Sequence, residues 1–526
     1  MLNMIHTENE KQAYLSDNAL KDLNMSFFAD AEFSKKIPTL ISREKDTIIM
    51  RQREFADIIS NPEISIILDA LCKKLAELSE IEKSKVDADA YSENESLLYS
   101  FRELLTFSEC IDLISEAAGK FGDKAGSEGF LSLFSYAEKI KGESWYRNVL
   151  KFISDTDESL RDIKSITLGI NLDAKLHPIE AGIVSLNTKP FTANGIMDKL
   201  FAEKAESKEY VCLSVLCKNE FGVSLSLLNT LSGQVYHCLN EMFRRSLLKM
   251  KGIIKKAERE NNFLDLVYDE IKFLKTGADF VLRMKSAGLP VCIPKITDDG
   301  DEITDLYDPN LTDFTRSADI VRNDISFDEN GKIYVLTGHN SGGKSVFMRA
   351  CGICYVLFQL GMPVPARKAK MHIADGIYTH FIGKAQMKVG GRLENECKSI
   401  SEMFRAMTKD SIIFMDESFS STSAYDGTLI ATEVIKHLRE KGCRCIYATH
   451  MHDIANKAEE INEMPGESKV DLLSVNSGEN PYRVERKRGQ GKSFAMEIFK
   501  KYGLDLKWQK IPHERDFFEI RDKRED

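Results

Sequence analysis

The stretch that most constrains this chain is a short apolar run breaking into a glycine-rich turn that ends in Lys-Ser: Ile333-Tyr-Val-Leu-Thr-Gly-His-Asn-Ser-Gly-Gly-Lys-Ser345. Gly338, Gly343, Lys344 and Ser345 satisfy the pattern G-x-x-x-x-G-K-[ST]. Glycines there let backbone N–H groups turn inward around phosphate oxygens, and the following helix adds about half a positive charge at its start. The candidate phosphate cradle is Gly338, His339, Asn340, Ser341, Gly342, Gly343, Lys344 and Ser345. Lys344 is expected to reach the β- and γ-phosphates of ATP, and the Ser345 hydroxyl to hold Mg²⁺. The β-rich run Ile333–Thr337 before the turn and the helix-like Val346-Phe-Met-Arg-Ala350 after it supply the strand–loop–helix context this chemistry needs.

A phosphate loop alone implies nucleotide binding, not hydrolysis. The second element is Ser411-Ile-Ile-Phe-Met-Asp-Glu417, an apolar strand that delivers two adjacent carboxylates at its end. Successive side chains of a strand point apart, so Asp416 can serve Mg²⁺ while Glu417 serves the attacking water. The third is Cys443-Arg-Cys-Ile-Tyr-Ala-Thr-His450. If the strands are parallel, His450 lands on the same sheet edge, where it can sense the γ-phosphate or the water. Glu417 and His450 are therefore the candidate catalytic residues, and Ser345 and Asp416 the candidate metal ligands.

The chain has 526 residues, enough for three or so domains, each with its own core. Its 43% hydrophobic and 29% charged content is that of a globular protein. No apolar run approaches ~18 residues, so no membrane span is expected. The N-terminus lacks the basic region and apolar core of a secretion signal, which points to the cytoplasm. Eleven cysteines, mostly single within apolar stretches, fit a reducing compartment. Cys351 and Cys354 share one face of the helix after the phosphate loop and read as core. A net charge of −10 argues against indiscriminate coating of nucleic acid but leaves room for a local basic surface.

Residues 1–35 read as an irregular leader with one helical piece. From 36 to 290 a mainly helical region is expected. Apolar positions 48, 49, 55, 58 and 59 repeat at helical spacing, and proline is absent from 63 to 177 and from 191 to 289. Leu231, Val235, Leu239 and Met242 mark an apolar stripe in the second window. Between the windows, Ile166, Leu168, Ile170 and Leu172 alternate with polar or small residues, and Gly182-Ile-Val-Ser-Leu186 follows, which predicts a β insertion near 164–190. Residues 244–259 hold seven basic side chains, a solvated face or a phosphate-contacting one. Residues 295–510 alternate strand-like and helix-like segments as an α/β domain does, and 511–526 form a charged tail.

Thr337-Gly-His-Asn-Ser-Gly-Gly-Lys-Ser345, Gly361-Met-Pro-Val-Pro-Ala366, Met415-Asp-Glu-Ser-Phe-Ser-Ser-Thr-Ser-Ala-Tyr-Asp-Gly427 and Ala448-Thr-His450 together closely resemble the ATPase domain of the DNA mismatch repair MutS family. Asn323-Asp-Ile-Ser before the loop strand and Lys492-Ser493 near the end fit as well. Upstream, Met50-Arg-Gln-Arg-Glu-Phe-Ala-Asp57 looks like the start of the family's helical levers, and Leu306-Tyr-Asp-Pro-Asn-Leu311 like their junction to the ATPase. The resemblance implies a multidomain fold: a mainly α-helical lever- and clamp-like region with a small β insertion, then an α/β ABC-class P-loop ATPase domain. It further implies an ATP-dependent DNA-binding protein working as a homodimer, with ATP hydrolysed at the dimer interface and controlling the arms that hold DNA.

Four departures from the family pattern carry their own expectations. The lever-like segment begins near residue 36, which leaves no room for the family's N-terminal Phe-x-Glu mismatch wedge or its connector domain, so direct mismatch reading is not expected. Leu393 stands where the family's Gly-x-Ser-Thr-Phe signature has the serine that reaches the opposite subunit's γ-phosphate; backbone N–H groups at Gly390-Gly391 or Arg392 must then complete the site. Ser418-Phe-Ser-Ser421 replaces glycines usual after the acidic pair, and Ile320 falls where the family has an adenine-stacking aromatic. These changes leave a nucleotide-gated scaffold with little hydrolysis as the alternative. A transporter motor is disfavoured because no Leu-Ser-Gly-Gly-Gln signature precedes Asp416.

Overall fold

The computed structural model describes residues 4–7, 10–28, 31–89, 95–155, 164–172, 174, 178–190, 267–339, 342–381, 391–476 and 481–486. Its strands are β1 (Tyr14–Leu15), β2 (Ser165–Leu172), β3 (Pro178–Asn187), β4 (Lys295–Ile296), β5 (Asp301–Leu306), β6 (Asn323–Phe327), β7 (Ile333–Thr337), β8 (Lys368–Met371), β9 (Gly376–Phe381), β10 (Ile412–Asp416), β11 (Arg444–Ala448), β12 (Val470–Val475) and β13 (Val484–Arg486). The chain divides into two compact units, Met1–His6 with Arg53–Asp279, and Thr7–Gln52 with Phe280–Asp526.

In the first unit, helices Ile64–Asp89 and Glu95–Phe121 pack against each other. Leu68, Leu71, Leu75 and Leu78 recur at helical spacing and are buried, as are Phe101, Leu104, Phe107, Ile111 and Ile114 opposite them. Proline-free sequence permits this length because every interior N–H can reach its i−4 carbonyl. Helix Glu128–Gly142 starts where the Asp57 carboxylate accepts the N–H groups of Gly126 and Ser127 and Glu54 accepts that of Gly129. Burial raises the Glu54 carboxyl to about 7, opposed by the Ser127 hydroxyl. The alternating segment forms β2, paired antiparallel with β3, with register shifts between Thr167/Leu168 and Asn171/Leu172. The stripe Leu231 to Met242, the basic run 244–259, Lys492-Ser493 and the tail 511–526 lie outside the described residues.

The second unit is built on a sheet of order β1-β9-β10-β11-β7-β12-β13, parallel except for β13. β7, β10 and β11 are nearly continuous apolar runs buried along their length, the pattern of a parallel sheet covered on both faces. Helix Lys344–Gln359 lies among the buried elements, with Cys351 and Cys354 at 0% exposure as core side chains. Helix Ala424–Lys441 is capped by the Ser423 hydroxyl, which accepts the Asp426 N–H, and is ended by Gly442 at φ 74°. A second sheet, of order β4-β8-β5-β6, belongs to the same unit.

The segment read as a leader is not separate from the α/β part. Tyr14 and Leu15 pair in parallel with Gly376 and Ile377, and residues 7–52 belong to the second unit, so a boundary at residue 36 does not follow the packing. Strand β1 is two residues long, too short to leave an alternation in the sequence. Among the described residues no helix is long and apolar enough to cross a membrane.

Candidate functional site

Because β7, β9, β10, β11 and β12 run parallel, their C-terminal ends share one edge. In register, Leu336 faces Ala448, Ala448 faces Asp416, and Asp416 faces Phe381. The phosphate-loop candidate leaves this edge from β7, the acidic pair from β10 and His450 from just beyond β11.

At the loop, Gly342 donates its N–H to the His339 carbonyl at 3.0 Å, and Gly343 takes φ 93° at the start of helix Lys344–Gln359. A Cβ on Gly342 would stand 2.8 Å from the His339 carbonyl oxygen, so the turn admits only glycine there. Lys344 Nζ folds back to donate to the carbonyls of Gly338 at 3.0 Å and His339 at 3.2 Å. Burial holds its amine below the ordinary lysine range, opposed by the charges of Glu417 and Asp416. Asn340 and Ser341 lie outside the described residues.

Burial raises the Asp416 carboxyl; its hydrogen bond with Ser345 and the charges of Lys344 and Arg349 oppose the rise, and that of Glu417 adds to it. Its Oδ1 is buried with no protein partner. A buried, unsatisfied carboxylate oxygen beside a serine hydroxyl is costly unless something electropositive sits there, and the pair is a donor set suited to a hard cation such as Mg²⁺. Glu417 turns away, at φ 53°, with its N–H donated to the Ala448 carbonyl at 2.9 Å. His450 Nδ1 lies 4.0 Å from Glu417 Oε1, and both side chains are partly exposed.

Of these, Gly342, Gly343, Lys344, Ser345 and Glu417 line a cavity of about 470 Å³, whereas Asp416 and His450 are not among its lining residues. Its lining also includes Val321 and Tyr482. Ile320, expected from the sequence at the base position, is buried and is not among the lining residues. Tyr482, at φ 68°, instead brings its ring to within 3.3 Å of where a Gly343 Cβ would be. Sequence reasoning missed it because Tyr482 sits in an irregular turn between β12 and β13, with no periodicity to mark it. It missed Asp308 as well: that buried carboxylate accepts from Arg349 Nε at 3.1 Å, and the Asp-Pro dipeptide reads in sequence only as a turn. Leu393 packs, partly buried, against the core that contains Phe419, Ile400 and Met403.

The family model described as MutS domain V matches residues 334–505. The chain is 32% identical over 226 residues to the DNA mismatch repair protein MutS of Prochlorococcus marinus (strain MIT 9301), covering 41% of this chain and 24% of that protein. It is 30% identical over 221 residues to the MutS of Thermotoga neapolitana, covering 40% and 27%, and 37% identical over 141 residues to that of Rickettsia akari (strain Hartford), covering 26% and 16%. The matched part thus spans about a quarter or less of these relatives' length. The motifs around the cavity and the matched segment coincide: residues 334–505 are similar to MutS domain V and to the corresponding part of these relatives.

Proposed function

We propose that the chain is an ATP-dependent DNA-binding protein that binds and hydrolyses ATP in the cavity at the ends of β7, β10 and β11. The observation that carries this reading is that Lys344, Ser345 and Glu417 line one 470 Å³ cavity, with Asp416 joined to it through its hydrogen bond with Ser345. Lys344 and the N-terminus of its helix bind the β- and γ-phosphates. Ser345 and Asp416 hold Mg²⁺, which supplies charge neutralisation across the phosphates when bound. Glu417 orients and polarises the attacking water, His450 steadies Glu417 or the γ-phosphate, and Tyr482 offers its ring to the base.

One phosphate loop leaves the far side of the γ-phosphate open, which supports closure by a second copy of the chain. With Leu393 packed, partly buried, against the core, that copy would present the backbone at Gly391 and the half-exposed Arg392. Closure would move the helical lever- and clamp-like region of the first unit, whose partner we propose is DNA in the cytoplasm. The test is ATP turnover by wild type, Lys344→Ala and Glu417→Gln, with and without mismatched, branched and single-stranded DNA. Turnover that no DNA changes, together with no salt-sensitive DNA binding, would sink the DNA part.

Leu393 favours a second reading, a nucleotide-gated scaffold with little hydrolysis, since an apolar side chain donates no hydrogen bond to a phosphate. ATP-driven dimerisation with negligible turnover on every DNA would select it.

A further inference from the structure

The loop after β10 turns at two non-glycine residues in the left-handed region, Glu417 at φ 53° and Phe419 at φ 66°. Side chains rarely adopt this conformation, and it persists only where the surroundings over-determine it. Ser418 is held from two sides. The Tyr447 hydroxyl donates to its carbonyl at 2.9 Å, and His380 Nδ1 lies 2.8 Å from its hydroxyl. The stretch beyond Ser418 is held by Glu396, which accepts the Phe419 N–H at 2.8 Å and the Ser421 hydroxyl at 3.1 Å. Glu396 is only 8% exposed and is not among the residues lining the cavity.

We infer that Glu396 is a positioning residue for Glu417: its carboxylate locks the left-handed turn at Phe419 and so fixes the direction in which Glu417 is presented to the cavity. The inference rests on the reading of Glu417 as the residue that acts on the attacking water. Two side chains of helix Arg392–Ala406 grip the loop together. Glu396 does so by hydrogen bonds, while Leu393 packs against the core that buries Phe419. A shift of this helix is therefore carried to Glu417 without any contact between the helix and the nucleotide. Arg392, 3.4 Å from Glu396 and half exposed at the start of the helix, is the side chain through which a neighbouring molecule would bias the clamp.

The test measures ATP turnover for wild type, Glu396→Gln and Glu396→Ala, with amide hydrogen exchange across residues 417–421 read on the nucleotide-free protein. In Glu396→Ala, kcat should fall about 10- to 100-fold while KM for ATP stays within about twofold. Glu396→Gln, which keeps an acceptor oxygen for the Phe419 N–H, should recover part of that loss. Exchange across 417–421 should rise about tenfold or more in Glu396→Ala. Wild-type turnover in Glu396→Ala, or a parallel fall in kcat and ATP affinity, overturns the assignment. So does unchanged exchange, a result that counts even if the wild type turns over no ATP. Failure of the hydrolysis reading has a different signature, Glu417→Gln turning over ATP as fast as wild type.

Discussion

Two loops leave the same sheet edge, one after β7 and one after β10, and they reach their shapes by opposite means. The first places glycine where the backbone needs it, with Gly343 at φ 93° and no room for a Cβ on Gly342. The second uses Glu417 and Phe419 at positive φ and holds them with groups from three other elements, His380 of β9, Glu396 of the helix after it and Tyr447 of β11. A glycine loop is shaped by its own residues. A side-chain-bearing loop in the same conformation is shaped by its neighbours, so its geometry responds to theirs.

The largest effect is expected at the glycine loop. Lys344→Ala should lower ATP turnover by about 10³-fold, with loss of nucleotide binding, because the buried cation proposed to bind the phosphates is removed. Retained affinity in equilibrium nucleotide binding would contradict the role given to this loop. Glu417→Gln should lower kcat by about 10²-fold while binding persists, separating the two loops into binding and chemistry.

Next come the conformations themselves. Gly343→Ala forces an L side chain to φ 93°, with its Cβ 3.3 Å from the Tyr482 ring. It should cost about 1–2 kcal/mol in denaturant unfolding. Tyr447→Phe leaves the Ser418 carbonyl without its donor and should cost about 1 kcal/mol. Equal, negligible costs in both variants would erase the contrast between a self-shaped and a neighbour-shaped loop.

The smallest effect is a dependence on pH. Burial lowers the His380 pKa below its ordinary value, with the Glu396 charge opposing. The unfolded chain then binds a proton that the folded one refuses, so this contribution to stability is lost as pH falls through about 6.5. The difference in unfolding midpoint between wild type and His380→Gln should change between pH 7.5 and 5.5 in the direction of a wild type weakened by acid. A constant difference would remove His380 as a titrating support of the β10 loop.

Much of the α/β core could be read in advance. Ile333–Thr337, Ile412–Asp416 and Arg444–Ala448 are strands, and the residues singled out after them meet at one edge. They were readable because a buried parallel strand must be apolar throughout and a phosphate-type turn must be glycine-rich, constraints that act within a few residues. The edge strand β1, the wall residue Tyr482 and the Asp308–Arg349 pair were not readable. Each depends on a partner distant in the chain, Tyr14 on Gly376 and Arg349 on Asp308.

The sequence by itself therefore determined the chemistry available at the edge: the glycine turn, the lysine, the adjacent carboxylates and the histidine, together with their likeness to MutS domain V. Only the tertiary structure decided how those groups are aimed. Leu393 came to pack, partly buried, against the core, and Glu396 became a clamp on a strained loop, because packing and hydrogen bonding join segments that the linear chain keeps apart.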